Sequence, residues 1–129
     1  MERFLDPHAD RIYSAVRIVV GFLFWCHGAQ KVLGLFGGGP PQMSALLWVA
    51  GLVEFVGGAL VCVGLFTSWA ALVSSGHMAV AYFMAHQASG LLPIANRGEL
   101  AALYAWVFLL IAAKGGGLWS LDARRANAA

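Results

Sequence analysis

Four long apolar runs organise the chain, roughly residues 12–33, 44–64, 68–86 and 98–118, with glycine, proline and polar residues gathered between them. The runs are continuous rather than alternating, which selects helix over strand. The first three each hold the about 20 residues that a helix needs to cross a hydrocarbon core. The fourth is short between Arg97 and Lys114, and Gly115–Trp119 is read as its extension. Only helices and closed barrels satisfy every backbone polar group inside lipid. The pattern therefore predicts a single domain over residues 1–129. Its fold class is an all-α membrane protein, an antiparallel bundle of four transmembrane helices.

The connections carry their own signals. "GLFGGGPPQM", residues 34–43, reads as a long loop whose two prolines forbid helix. "GLFT", residues 64–67, reads as a tight turn, and "QASGLLPIANRGE", residues 87–99, as a second long loop. At its end, Asn96 and Glu99 have the spacing of a capping box. The N-terminal "MERFLDPHADRIY" mixes acids and bases and is followed by no small-residue cleavage site, so it does not read as a signal peptide. It reads as a short interfacial segment broken by Pro7, with Asp10 as the cap of the first span, or as a frayed end.

Composition sharpens this picture. Hydrophobic residues make up 60% of the chain and charged residues 11%, and mean hydropathy is +0.76. A soluble domain averages about 25% charged. The net charge is only +2, but its placement is informative. Arg3, Arg11, Lys114, Arg124 and Arg125 fall on the side of the two termini, and Lys31 and Arg97 on the other. The positive-inside rule then puts both termini in the cytoplasm. The charge is thus a topology signal and not a nucleic-acid footprint. Trp48, Trp69 and Trp119 fall near span ends, where interfacial anchors sit. Cys26 and Cys62 fall at different depths, too far apart for a disulfide.

Ionisable residues inside the spans are the candidate chemistry, since a lone charge at the centre of the bilayer costs at least about 2.5–3.5 kcal/mol. Glu54 lies in the middle of the second run, on a face shared with Ala50, Gly51, Gly57 and Gly58. Small residues let helices approach, so this face should point inward. In an antiparallel hairpin centred between Leu65 and Phe66, Glu54 and His77 lie at equal depth. Arg17, about 9 Å into the first span at 1.5 Å per residue, is a second candidate partner for Glu54. The residues support two readings: a buried pair that fixes helix register, or a proton or quinone site.

A second group gathers at the far end. His27 and Lys31 are four residues apart on one helix face, and Arg17, Gly21, Phe24, Gly28 and Lys31 form a glycine-lined stripe. Lys31 is placed to snorkel to water. Gln30, Asn96, Glu99 and His86 fall at the same level. They form either one wall of a polar pocket or an interfacial belt of solvated side chains. No metal-ligand spacing, phosphate loop, dinucleotide fingerprint, nucleophile elbow or CxxC pair stands in the sequence.

Three stretches, "RIVVGFLFWCHGAQKVLG", "GLVEFVGGALVCVGLFT" and "PIANRGELAALYAWVFLLIAAKGGGLWSLD", resemble the DoxX family of small bacterial membrane proteins. The likeness rests on Arg17, Gly21, His27, Gly28 and Lys31, on Glu54, Gly57, Gly58, Gly64 and Thr67, and on Asn96, Glu99, Tyr104, Gly117, Ser120 and Asp122. It implies a multi-pass protein of the bacterial inner membrane. The family takes its name from a subunit of a thiosulfate:quinone oxidoreductase, and other members are linked to quinone or catechol stress. The resemblance therefore implies a subunit of a quinone-linked redox system. The expected ligand is a quinone or a small polar substrate, with no metal or nucleotide cofactor. Glu54 and His77 are the candidates for proton exchange, and Arg17, His27, Gln30, Lys31, Asn96 and Glu99 for ligand binding. Expected partners are the bilayer and other membrane subunits or further copies of the chain, and not nucleic acid. The alternatives are a non-catalytic subunit that anchors a larger complex, or a small-solute carrier.

Overall fold

The structure, a computed structural model, describes residues 2–38 and 44–129. Most of the described residues are helical, with no strand among them. In chain order the helices are α1 (Glu2–Leu5), α2 (Ala9–Leu33), α3 (Ala45–Val63), α4 (Thr67–Ala85), α5 (Pro93–Asn96), α6 (Glu99–Lys114) and α7 (Leu121–Ala128). Two helical stretches, residues 3–33 and Ala45–Val63, are long and apolar enough to cross a membrane.

The helix ends follow from local chemistry, in places against expectation. Asp10 caps nothing. The chain is already helical through α1 and a 3-10 turn at Asp6–His8, so no extended residue precedes α2 to act as an N-cap. Gly34 closes α2 in the left-handed conformation, and Gly64 does the same for α3. Half of the loop expected at residues 34–43, residues 39–43, lies outside the described residues. α6 does not run on to residue 118. It stops at Lys114, because Gly115 and Gly117 take positive φ and turn the chain back into α7. The capping box at Asn96 and Glu99 does not form either. Asn96 sits in α5, and its Oδ1 accepts from the Gly98 N–H at 2.8 Å, while no side chain caps α6. The loop expected over residues 87–99 contains a 3-10 turn and α5.

Consecutive long helices run in opposite directions. Glycine sets the closest contact: a Cβ on Gly28 would lie 2.2 Å from the Phe55 nitrogen, and one on Gly58 2.4 Å from the Trp25 nitrogen. The backbones of α2 and α3 therefore touch, and side chains on their shared face are brought together. Phe24, Val61, Ala71, Tyr104, Phe108 and Ile111 form the buried apolar core, with the Phe24 and Phe108 rings edge to face at 4.6 Å. The outward faces are apolar as well: Val19, Leu52, Val80, Trp106 and Leu110 are all exposed. This is the surface a lipid solvent accommodates.

Candidate functional site

The α2–α3 contact delivers Lys31 to Glu54. Lys31 lies beside Gly51, whose missing side chain leaves room for the lysine stem: a Cβ there would meet Lys31 Cβ at 3.1 Å. The ammonium donates to both carboxylate oxygens, at 2.5 and 2.6 Å. From α4, His77 Nε2 stands 3.3 Å from Glu54 Oε1. Three helices thus converge on one carboxylate. Glu54 is 5% exposed, whereas the Lys31 side chain keeps 34% of its surface. The charge is compensated as a buried charge must be, and the lysine leads outward.

A cavity of about 210 Å³ opens beside this pair. Its polar lining is His27, Lys31, Glu54, His86, Arg97 and Tyr104, and Phe24, Met78 and Leu100 contribute apolar wall. Tyr104 is 7% exposed, and its ring meets His27 edge-on at 6.2 Å. Arg97 closes α5 in the left-handed conformation, with φ 60°. That is uncommon for a residue other than glycine, asparagine or aspartate, and such strain gathers at functional sites. His86 is fixed by a 3.2 Å contact from Nδ1 to the Asn96 carbonyl oxygen.

Of the sequence-predicted residues, the structure brings Glu54 and His77 together and puts His27, Lys31 and Glu54 on the cavity wall. Four others are placed elsewhere. Arg17 does not meet Glu54. It is fully buried near the opposite end, where Nη1 donates to the Val61 and Cys62 carbonyl oxygens and Nη2 to that of Trp119. The end of α3, with its unpaired carbonyls and negative dipole, outcompetes a carboxylate some turns away. Gln30 turns off the face and contacts the Phe36 carbonyl oxygen at 3.4 Å. The Asn96 side chain is consumed by its own loop, donating to Tyr82 Oη and the Gly90 carbonyl oxygen, both at 3.0 Å. Glu99 is exposed at the start of α6 and does not line the cavity. Lys31, expected to snorkel to water, turns inward to Glu54 instead. Arg97, which the sequence places at the same end as Lys31, joins the cavity wall, whereas the Lys31–Glu54 pair was missed. The signal for the pair was the glycines Gly21, Gly28, Gly51 and Gly58, whose close approach between α2 and α3 sets Lys31 near Glu54.

The Arg17 end is a second polar assembly. Asp122 of α7 reaches across to cap α4. Its Oδ1 accepts from the Phe66 N–H at 2.9 Å, and its Oδ2 accepts from the Thr67 N–H and hydroxyl at 2.8 and 2.7 Å. Burial pushes this carboxyl up, but the hydrogen bonds from Thr67 and Phe66 outweigh it and hold Asp122 below its ordinary value. Gly64, at φ 73°, has no room for a side chain, since a Cβ would lie 2.4 Å from Ser120 Cβ. These contacts fasten the α3–α4 turn to the α6–α7 turn and serve structure rather than the cavity. Among the described residues no group of His, Cys, Asp and Glu is arranged to hold a metal ion.

The family model described as DoxX matches residues 12–87, more than half of the chain. An uncharacterized protein of Haemophilus influenzae is 40% identical over 125 residues, covering 92% of this chain and 93% of its own length. No solved structure matches the chain.

Proposed function

This chain belongs to the DoxX family, and we propose that it is a multi-pass protein of the bacterial inner membrane that binds a quinone headgroup or a small polar substrate beside Glu54. In this reading α2, α3, α4 and α6 cross the bilayer as an antiparallel four-helix bundle with both termini cytoplasmic. Support comes from the charge asymmetry, with Arg3, Arg11, Lys114, Arg124 and Arg125 at one end and Lys31 and Arg97 at the other. α6, of 16 residues, rises about 24 Å, and local thinning of the bilayer makes up the shortfall at a fraction of a kcal/mol per Å.

One observation carries the proposal: a buried carboxylate held by a lysine and a histidine forms part of the wall of a cavity lined with further donors. The lining fits a quinone headgroup. Lys31, His27 and Tyr104 offer N–H and O–H groups to carbonyl oxygens, and Phe24 and Leu100 offer apolar surface to a planar ring. A bound quinone would supply two-electron, two-proton chemistry. The chain's own part is proton handling. His77 and Glu54 exchange a proton over 3.3 Å, and Lys31 holds the carboxylate at the cavity wall and stabilises its charged form. Electrons would come from a partner redox subunit. The second reading, a non-catalytic anchoring subunit, is favoured by one fact: the same Lys31–Glu54–His77 contact ties three helices into register.

The two separate in one experiment. Protein purified in mild detergent is analysed for co-purifying small molecules by mass spectrometry and titrated with a short-chain quinone, read by thermal shift. A quinone or other carbonyl-bearing ligand should accompany the wild type and be lost from Glu54→Gln with the fold retained. If the wild type carries none and the quinone gives no shift, the binding role fails and the anchoring role stands.

A further inference from the structure

The basic end of the molecule holds a groove that the ligand cavity does not use. A space of about 420 Å³ lies between the end of α3 and the turn into α7, lined by Val63, Leu118, Trp119, Ser120, Leu121 and Arg124. This falls within the size range of small-molecule sites. Val63, Leu118, Trp119 and Leu121 are all exposed, so the groove is apolar and open to the outside.

The charges around it are unevenly committed. Arg125 lies over the Phe66 ring at 4.9 Å, and Asp122 is occupied by Phe66 and Thr67. Arg124 makes no ion pair among the described residues. The groove therefore offers one unneutralised guanidinium set in apolar walls, with the neighbouring acid already engaged. A guanidinium fork matches phosphate oxygens, and Trp119 stands in the turn just beyond α6, where a tryptophan flanking a span sits at headgroup level in a bilayer. These are the complements of an amphiphile with an anionic head.

We infer that this groove binds an anionic phospholipid, its phosphate at Arg124 and an acyl chain along Val63, Leu118 and Leu121. The same turn gives its Trp119 carbonyl oxygen to Arg17, so a seated lipid braces from outside what Arg17 holds from inside.

The test uses the full-length protein in mild detergent, offered equal amounts of phosphatidylglycerol and phosphatidylcholine and read by native mass spectrometry. Phosphatidylglycerol should bind in preference. Arg124→Gln should reduce that preference about fivefold, the factor expected for one basic residue at a membrane surface, and Arg124→Lys should retain most of it. Arg11→Gln, which removes a charge at the same end outside the groove, should leave it intact. Equal binding of the two lipids would overturn the inference, as would a loss in Arg11→Gln matching that in Arg124→Gln. Displacement of the bound species by inorganic phosphate alone would show a phosphate site rather than a lipid site, and would overturn it as well.

Discussion

Lys31 Nζ stands 2.5 and 2.6 Å from the two carboxylate oxygens of Glu54, joining α2 to α3 where glycine lets their backbones meet. The two partners differ in burial, with 34% of the lysine side chain and 6% of the glutamate side chain exposed. Removing one partner therefore has unequal consequences. Glu54→Ala strands an ammonium that can still reach water, so its cost should lie near the low end of the about 3–5 kcal/mol typical of a broken buried pair. Lys31→Ala leaves the buried carboxylate with only His77, and should cost more. Replacing both partners, as Lys31→Met with Glu54→Leu, should recover most of the loss. Thermal melting in one detergent orders the four proteins, and a Lys31→Ala protein that melts with the wild type contradicts this account.

The closest helix contact makes a second prediction. Gly28→Ala would set a methyl group 2.2 Å from the Phe55 nitrogen, a backbone atom that cannot swing away. α2 and α3 must separate, at the about 1–3 kcal/mol that overpacking costs. The movement also lengthens the Lys31–Glu54 contact, so ligand retention should fall with stability. Gly76→Ala is the control, because nothing lies within 4 Å of the added atom. Equal melting temperatures for the two variants would show that α2 and α3 do not touch there.

Much of this architecture was legible in the sequence. The apolar runs located the four long helices to within a few residues at most ends, and the "GLFT" turn placed Glu54 opposite His77, because a tight turn fixes the register of a hairpin. The α2–α3 register was hidden. The connection between them is long and proline-rich, so counting from it gives no depth, and the long stem of Lys31 carries it to Glu54 rather than to water. Arg17 departs from the expectation that charge pairs with charge. A guanidinium has five donors, and the Val61 and Cys62 carbonyl oxygens at the end of α3, with that of Trp119, take three hydrogen bonds from it without an acid. The three-glycine run after Lys114 continues an apolar stretch and so resembles helix in sequence, but positive φ at Gly115 and Gly117 turns the chain.

Arg17 should prove to be a fastening rather than a ligand group. Its three hydrogen bonds hold the end of α3 and the α6–α7 turn together. Each hydrogen bond to a charged group contributes about 1.5–3 kcal/mol, and Arg17→Met removes all three. The turn at residues 115–120 should then become open to limited proteolysis, with a large fall in melting temperature. Arg17→Lys cannot reproduce the fork and should fall between. Loss of ligand binding without loss of stability would instead place Arg17 in the site.

Asp122 makes stability depend on pH in a stated direction. Its folded-state value lies below the ordinary one, through the hydrogen bonds from Thr67 and Phe66 acting against burial. A depressed carboxyl stabilises the fold fully above the unfolded value, about 3.9, and the contribution is lost as pH falls below that value through the folded one. Melting temperature should therefore drop on acidification below about pH 4. In Asp122→Asn the drop should be smaller and the plateau lower, since one acceptor remains but the charge does not. Parallel curves for the two proteins would show that another carboxyl governs the acid limb.

Topology is tested independently of the site. Among the described residues Arg3, Arg11, Lys114, Arg124 and Arg125 fall at the end that carries both termini, and Lys31 and Arg97 at the other. Orientation follows Lys and Arg in short flanks, and acids contribute little. Lys31 is further discounted because its charge is engaged by Glu54, which leaves Arg97 as the principal opposing cation. Tags at either terminus should thus be protected from a protease added to intact spheroplasts and digested after lysis. Exchanging the bias should loosen the preference: Arg11→Gln with Arg124→Gln and Arg125→Gln, combined with added lysines in the loop at residues 87–92, should yield a mixed population. Digestion of both wild-type tags in intact spheroplasts would invert the orientation, and with it the side from which the cavity at Lys31 and Glu54 is reached.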